Sequence, residues 1–355
     1  MASAEDTFAY RGRFGDAFAR TFFRRAGTGV VSSVGLGPSC GGGDRGDAVV
    51  TGVENGINLV DAAIHARGQR DERAVGRALA RADAERAELY LTSKAGTVPF
   101  DGERPGDPGA YVRREYVDTG IVDPDELAGN HCIAPAFLDD QIERSLSNLG
   151  VETVDCYFLH TPEVQFDDRD REDVYDAVER AFEAFERRVA AGDIANYGVT
   201  SWEGLRVPAD HPRHLSLPEL VSRARAAAER VGNDATAFRA VQLPFNARMA
   251  GGFTVEAQDG PDGTQSALTF AHEAGLDAYA THPLAGGDLA DGLPADVAAE
   301  LAGDTPAQRA LNFARSAPGV VSALVGAGST GHVRENVAAG TFAPLGADAF
   351  DAVFE

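Results

Sequence analysis

Eight short apolar runs separated by helical patterns constrain this 355-residue chain more than any other feature. The runs are Val30–Leu36, Ile57–Ala63, Glu88–Thr92, Val154–Leu159, Ile194–Val199, Ala240–Phe245, Gly275–Ala280 and Val320–Val325. Each is apolar at successive positions rather than at alternate ones. Strands of that kind are buried on both faces, as in a parallel sheet covered by helices. The stretches between them are amphipathic at helical spacing. Examples are Leu138, Ile142 and Leu146, then Val174, Ala177, Val178, Ala181, Phe182, Phe185 and Val189. A third is Leu217, Leu220, Val221, Ala224, Ala228 and Val231, with Ser216 and Glu219 predicting a capping box at its start. Eight strand–helix units in order predict an α/β fold. Neither Gly35-Leu36-Gly37-Pro38 nor Gly27-Thr28-Gly29-Val30-Val31-Ser32 carries the Gly-x-Gly-x-x-Gly turn of an open nucleotide-binding sheet. The expectation is therefore a closed (β/α)8 TIM barrel, one domain over residues 1–355. One connection departs from the pattern. Residues 95–135, about 40 residues rich in Gly, Pro, Asp and Arg, follow the third strand. In a barrel such a long insert lies over the catalytic face.

The charge balance narrows the partners. There are 55 acidic and 32 basic residues, a formal net charge of −23. A nucleic-acid partner needs a basic stripe, and an anionic membrane surface would repel the chain. No run approaches the roughly 20 apolar residues of a membrane span. Arg24-Arg25 is followed by Ala-Gly-Thr-Gly rather than by a secretory apolar stretch, so the chain reads as cytoplasmic. Apolar content is ordinary at 44%, which argues against disorder. The acidity instead predicts adaptation to concentrated salt, where carboxylates stay hydrated and their repulsion is screened. Lysine usage agrees: all but one of the basic residues are arginine, and the exception is Lys94. Cys40, Cys132 and Cys156 are too few and too dispersed for a disulfide framework or a metal site, and no metal is expected.

The C-terminal ends of barrel strands form the catalytic face. Three consecutive runs end in ionisable residues there: Asp61 after Asn58-Leu59-Val60, Lys94 after Leu91-Thr92-Ser93, and His160 after Tyr157-Phe158-Leu159. A carboxylate beside an ammonium tunes a nearby proton donor, and an imidazole can hydrogen-bond and orient a carbonyl oxygen. The trio suits a site that polarises a carbonyl while another group delivers hydride.

In these segments the chain resembles the aldo-keto reductases. The likeness runs through Gly56-Ile57-Asn58-Leu59-Val60-Asp61-Ala62-Ala63 with Glu72 and Gly76-Arg77-Ala78-Leu79, then Ser93-Lys94 and Leu159-His160. It continues through Gly198-Val199-Thr200-Ser201, Val241-Gln242-Leu243-Pro244-Phe245-Asn246 and Glu335-Asn336. The resemblance implies a (β/α)8 barrel, a small carbonyl or alcohol substrate, and NADPH as cofactor with NADH as the alternative. It also implies a tetrad of Asp, Tyr, Lys and His, of which Asp61, Lys94 and His160 fill three places. The tyrosine position, five residues after the aspartate, is Ala66. His65, Tyr111, Tyr116 and His131 are the neighbours that could stand in. The implied cofactor contacts are Ser201 and Gln242 at the nicotinamide amide, and Thr281 where an aromatic often stacks. At the adenine end they are Gly326, Ser329, Arg334 and Asn336. The chain thus reads as a salt-adapted, haloarchaeal-like oxidoreductase without the usual tyrosine. The competing readings are a cofactor-binding barrel without turnover, and a lyase or isomerase on the same frame.

Overall fold

The structure is a computed structural model that describes residues 1–27, 29–38 and 45–354. Cys40 and Thr28 lie outside the described residues. Eight parallel strands close into a barrel. In chain order they are β1 (Val34–Leu36), β2 (Leu59–Asp61), β3 (Tyr90–Ala95), β4 (Val154–His160), β5 (Ile194–Thr200), β6 (Phe238–Pro244), β7 (Asp277–Thr281) and β8 (Val320–Val325). Neighbours follow the sequence, and β8 returns to β1. The principal helices that cover them are α1 (Arg45–Glu54), α2 (Arg70–Leu79), α3 (Pro135–Leu149), α4 (Arg171–Ala191), α5 (Leu217–Val231), α6 (Ala267–Glu273), α7 (Pro306–Ser316) and α8 (Thr330–Ala338).

Continuous burial of β3, β4 and β8 explains why their sequences do not alternate. One side chain in two packs into the barrel and the next packs against helices. Inside, Leu59, Tyr90, Cys156, Phe158, Ala240, Tyr279 and Leu324 form one apolar cluster that also takes in Ala2, Ala26 and Val31 from the N-terminal segment. That segment closes the lower mouth, where the Ala2 amide donates to Asp155 Oδ1 at 2.5 Å.

Two local expectations need correction. The run Val30–Leu36 is not one strand. Gly29–Ser32 pairs antiparallel with Phe23–Ala26, and only Val34–Leu36 joins the barrel. Both pieces are apolar because both are buried, so hydropathy does not mark the break. The capping box at α5 is half formed. Ser216 Oγ accepts from the Glu219 amide at 3.3 Å, but the Glu219 carboxylate takes Arg223 Nε at 2.7 Å. That arginine also holds Glu172, Asp176 and Glu179 of α4 at 2.7, 2.6 and 2.9 Å. Arg188 binds Asp139, Glu143 and Asp193 in the same manner. No helix of the described residues is long and apolar enough to cross a membrane.

Candidate active site

Strand alternation turns Asp61, Lys94, His160, Thr200 and Gln242 to the barrel interior at its upper end. Their register is tight: His160 sits beside Thr200, and Thr200 beside Gln242. Asp61 is fully buried and Lys94 is 6% exposed. Lys94 Nζ donates to Asp61 Oδ1 at 2.6 Å, to Asp61 Oδ2 at 2.7 Å and to the Ala62 carbonyl at 2.9 Å. Three acceptors match the three hydrogens of an ammonium. Asp61 Oδ1 also accepts from Thr92 Oγ1 at 2.6 Å and from Gln242 Nε2 at 3.1 Å. From behind, Arg45 donates to the Asp61 carbonyl at 2.9 Å. Gln242 Oε1 is buried without a hydrogen-bond partner.

His160 closes the next side. Two hydroxyls flank its Nδ1, Thr161 Oγ1 at 3.0 Å and Thr97 Oγ1 at 3.2 Å. Where a hydroxyl donates to Nδ1, the ring proton lies on Nε2; where Nδ1 carries the proton, it donates to a hydroxyl. Behind it, Gln165 Nε2 donates to His131 Nδ1 at 2.7 Å, so His131 Nε2–H donates to the His160 carbonyl at 2.6 Å. The His65 ring lies 4.6 Å from the His160 ring, tilted by 53°. Its Nδ1 is buried without a partner. Burial and then the Lys94 charge lower the His65 pKa to about 4. Burial lowers His131 to about 4. Burial, then His65 and Lys94, hold His160 well below the ordinary imidazole value. All three imidazoles are therefore neutral at pH 7.

The segment between β3 and α3 builds the wall of this site. Its backbone runs past His160 at Gly96, where a Cβ would lie 2.5 Å from the His160 carbonyl oxygen. It folds through the helical turn Pro108–Val112 and the two-stranded pair Leu127–Ala128 and His131–Cys132. Among the described residues, the non-glycine positions with positive φ are Arg67, Gln69, Thr161, His282 and Ala285. Each follows the C-terminal end of a barrel strand, β2, β4 or β7. Strained backbone gathers at functional sites, and here it gathers on one face of the barrel.

A groove of about 610 Å³ leads away from Asp61 across the ends of β7, β8 and β1. Thr281, Gly326 and Asn336 line it, together with Gly37, His282, Gly286, Gly287, Gly328, His332 and Glu335. Other expected contacts fall elsewhere. Ser201 Oγ donates to Glu163 Oε1 at 2.8 Å and accepts from the Leu205 amide at 3.2 Å, so it serves the loop after β5. Ser329 Oγ caps α8 by accepting from the His332 amide at 3.2 Å. Arg334 is exposed on α8 and is not among the residues lining the groove. Of the candidate stand-ins for the tyrosine, Tyr116 is buried against Phe137 with its hydroxyl on the Pro99 carbonyl at 3.4 Å. Tyr111 packs on Phe100 and accepts from the Asp101 amide at 3.2 Å. Neither enters the site. Sequence reasoning passed over Thr200, which strand parity alone would have turned inward. It also missed Trp202 and His282, whose rings meet edge-on at 5.4 Å on the rim.

Residues 44–209 match the aldo/keto reductase family. An uncharacterised oxidoreductase of Bacillus subtilis, YqkF, is 28% identical over 175 residues, 48% of this chain and 45% of that protein. The chain thus spans under half the length of that relative. A solved structure of the aldo-keto reductase AKR11C1 from Bacillus halodurans, in its holo form, superposes with a TM-score of 0.63 at 19% identity. It covers 94% of this chain and 96% of that one. At this identity the likeness speaks for the fold, a (β/α)8 barrel throughout. The matched stretch carries Asp61, Lys94 and His160.

Proposed function

We propose that this chain is an aldo-keto reductase that interconverts a small carbonyl compound and its alcohol with NADH. One observation carries the reading: the groove is lined by Asp61, whose carboxylate holds Lys94 and the Gln242 amide, and Gln242 Oε1 is buried without a partner. A buried acceptor left without a donor is costly, and an amide N–H of a nicotinamide would satisfy it. The bound cofactor supplies hydride transfer. The chain supplies the rest. Lys94, held by Asp61, keeps a positive charge where negative charge develops on the reacting oxygen, and His160 would donate to that oxygen in its Nε2–H tautomer. Thr200, rather than Ser201, is the hydroxyl that shares their face.

The groove's charge supports NADH over NADPH. No lysine or arginine is among the described residues lining it, and Glu335 is. A 2′-phosphate calls for a charge-assisted partner, whereas a carboxylate suits a free ribose hydroxyl. Gly326 and Asn336 would face the adenine end, Thr281 would lie beside the nicotinamide without stacking on it, and Arg334 would take no part. The net charge of −23 supports a salt-adapted cytoplasmic enzyme.

Calorimetric titration in molar KCl, followed by turnover on a panel of aldehydes and alcohols, tests the proposal. NADH should bind at least about tenfold tighter than NADPH, a difference of 1.4 kcal/mol. Tighter NADPH binding would reverse the cofactor assignment, and binding of neither would refute the function. Binding without turnover would favour the sensing reading that Ala66 invites.

A further inference from the structure

His65 is the one ionisable group of the site with no structural duty. The carboxylate of Asp61, the ammonium of Lys94 and Nδ1 of His160 each have hydrogen-bond partners. His131 is spent between Gln165 and the His160 backbone. His65 forms no such bond. Its Nδ1 is buried and unpaired, while the residue as a whole is only half-buried. Native proteins seldom leave a buried nitrogen unsatisfied, and those that do warrant a reason.

The backbone fixes where this ring stands. The Ala66 amide returns to the Ala63 carbonyl at 3.0 Å. Arg67, Gly68 and Gln69 then run successively in the left-handed region. The Gly102 amide, from the long insert, donates to the Gly68 carbonyl at 3.1 Å. The loop is thus clamped with His65 facing His160. Ala66 next to it has no proton to give.

We propose that His65 is the catalytic acid–base of this site, exchanging the substrate hydroxyl proton through its imidazole while His160 orients the oxygen. This rests on the oxidoreductase reading above. In the oxidative direction the alcohol C–H bond breaks and its hydride passes to the oxidised nicotinamide. The O–H bond breaks and its proton passes to the neutral His65 imidazole. The products are the carbonyl compound, the reduced cofactor and an imidazolium, which returns its proton to water. Reduction is the reverse, with the imidazolium as donor. His65 faces Lys94, Asp61, His131 and His160. Burial, Lys94 and His131 favour its neutral form, and only Asp61 opposes them. The ring therefore rests neutral, the form that can accept the hydroxyl proton in alcohol oxidation. Oxidation should hold steady from about pH 8 to 6 and fall as pH approaches 4, whereas reduction should rise as pH falls.

His65→Phe and His65→Ala test this in the full-length protein in molar KCl. Calorimetry with NAD⁺ should give both variants an affinity within about twofold of wild type. Turnover should fall by about a hundredfold or more, the usual range for a lost acid–base. Added imidazole should restore part of it in His65→Ala. In the ¹³C-labelled wild-type protein, the imidazole resonance that vanishes in His65→Phe should shift when NAD⁺ is added. Turnover in His65→Phe within threefold of wild type would overturn the proposal. So would a wild-type protein that binds NAD⁺ yet turns over no alcohol or aldehyde. A wild-type protein that binds no nicotinamide cofactor would instead remove the oxidoreductase reading beneath it.

Discussion

Lys94 has no spare hydrogen, and that sets what can replace it. Its three N–H bonds converge from a single nitrogen on both oxygens of Asp61 and on the Ala62 carbonyl. A guanidinium is planar and longer, and its donors diverge in a fixed fork. To fit, it would push Asp61 off Thr92 and Gln242, which bind the same carboxylate oxygen. Lys94→Arg should therefore remove most turnover, or weaken NADH binding if the protein only binds. Charge is conserved, so the fold should survive. Steady-state kinetics and calorimetry would check this together. Both within about twofold of wild type, under 0.5 kcal/mol, would make the ion pair a purely structural one.

At the scale of elements, the insert between β3 and α3 holds the site from two sides. It meets His160 through Gly96, Thr97 and His131, and it meets the His65 loop through Gly102. The Gly68–Gly102 contact is the narrowest point. A Cβ on Gly68 would lie 1.9 Å from the Gly102 carbonyl oxygen, at a φ of +61°. Gly102 has φ +85° but open space around its own Cβ position. Gly68→Ala should thus cut turnover by about tenfold or more by parting loop and insert. Gly102→Ala should cost only the backbone strain of about 1 kcal/mol, read as a small drop in melting temperature. Equal effects on turnover would mean that the clamp does not matter. The strands themselves were legible because burial on both faces leaves a continuous apolar run. The site was legible only as far as strand ends reach. Asp61, Lys94 and His160 sit in β2, β3 and β4, where parity and position follow from sequence. Thr200, one residue before Ser201, is the one in register with His160 and Gln242, because a step of one residue along a strand reverses the face. His65 and the insert depend on loop conformation, where positive φ values and contacts across long sequence separations decide the outcome. Arg334 is exposed on α8, outside the residues that line the groove, whereas Glu335 and Asn336 line it.

On the whole molecule, the helical shell is stitched by arginines that each hold several carboxylates. Arg223 of α5 holds three carboxylates of α4 and one of its own helix. Such hubs offset local repulsion, but 55 acidic residues against 32 basic leave a large excess that salt must screen. The melting temperature should therefore climb as KCl rises from about 0.1 to 3 M. A melting point flat over that range would refute salt adaptation. One last consequence follows from Lys94. It carries the chain's sole side-chain amine and is nearly sealed within the barrel mouth. Reagents that acylate lysine find no other ε-amine on this protein, so surface-directed dyes and lysine crosslinkers should leave the folded side chains untouched. The appearance of an acylated Lys94 peptide in a mass spectrum would then act as a clock for the opening of the catalytic face, read at one atom without any engineered probe.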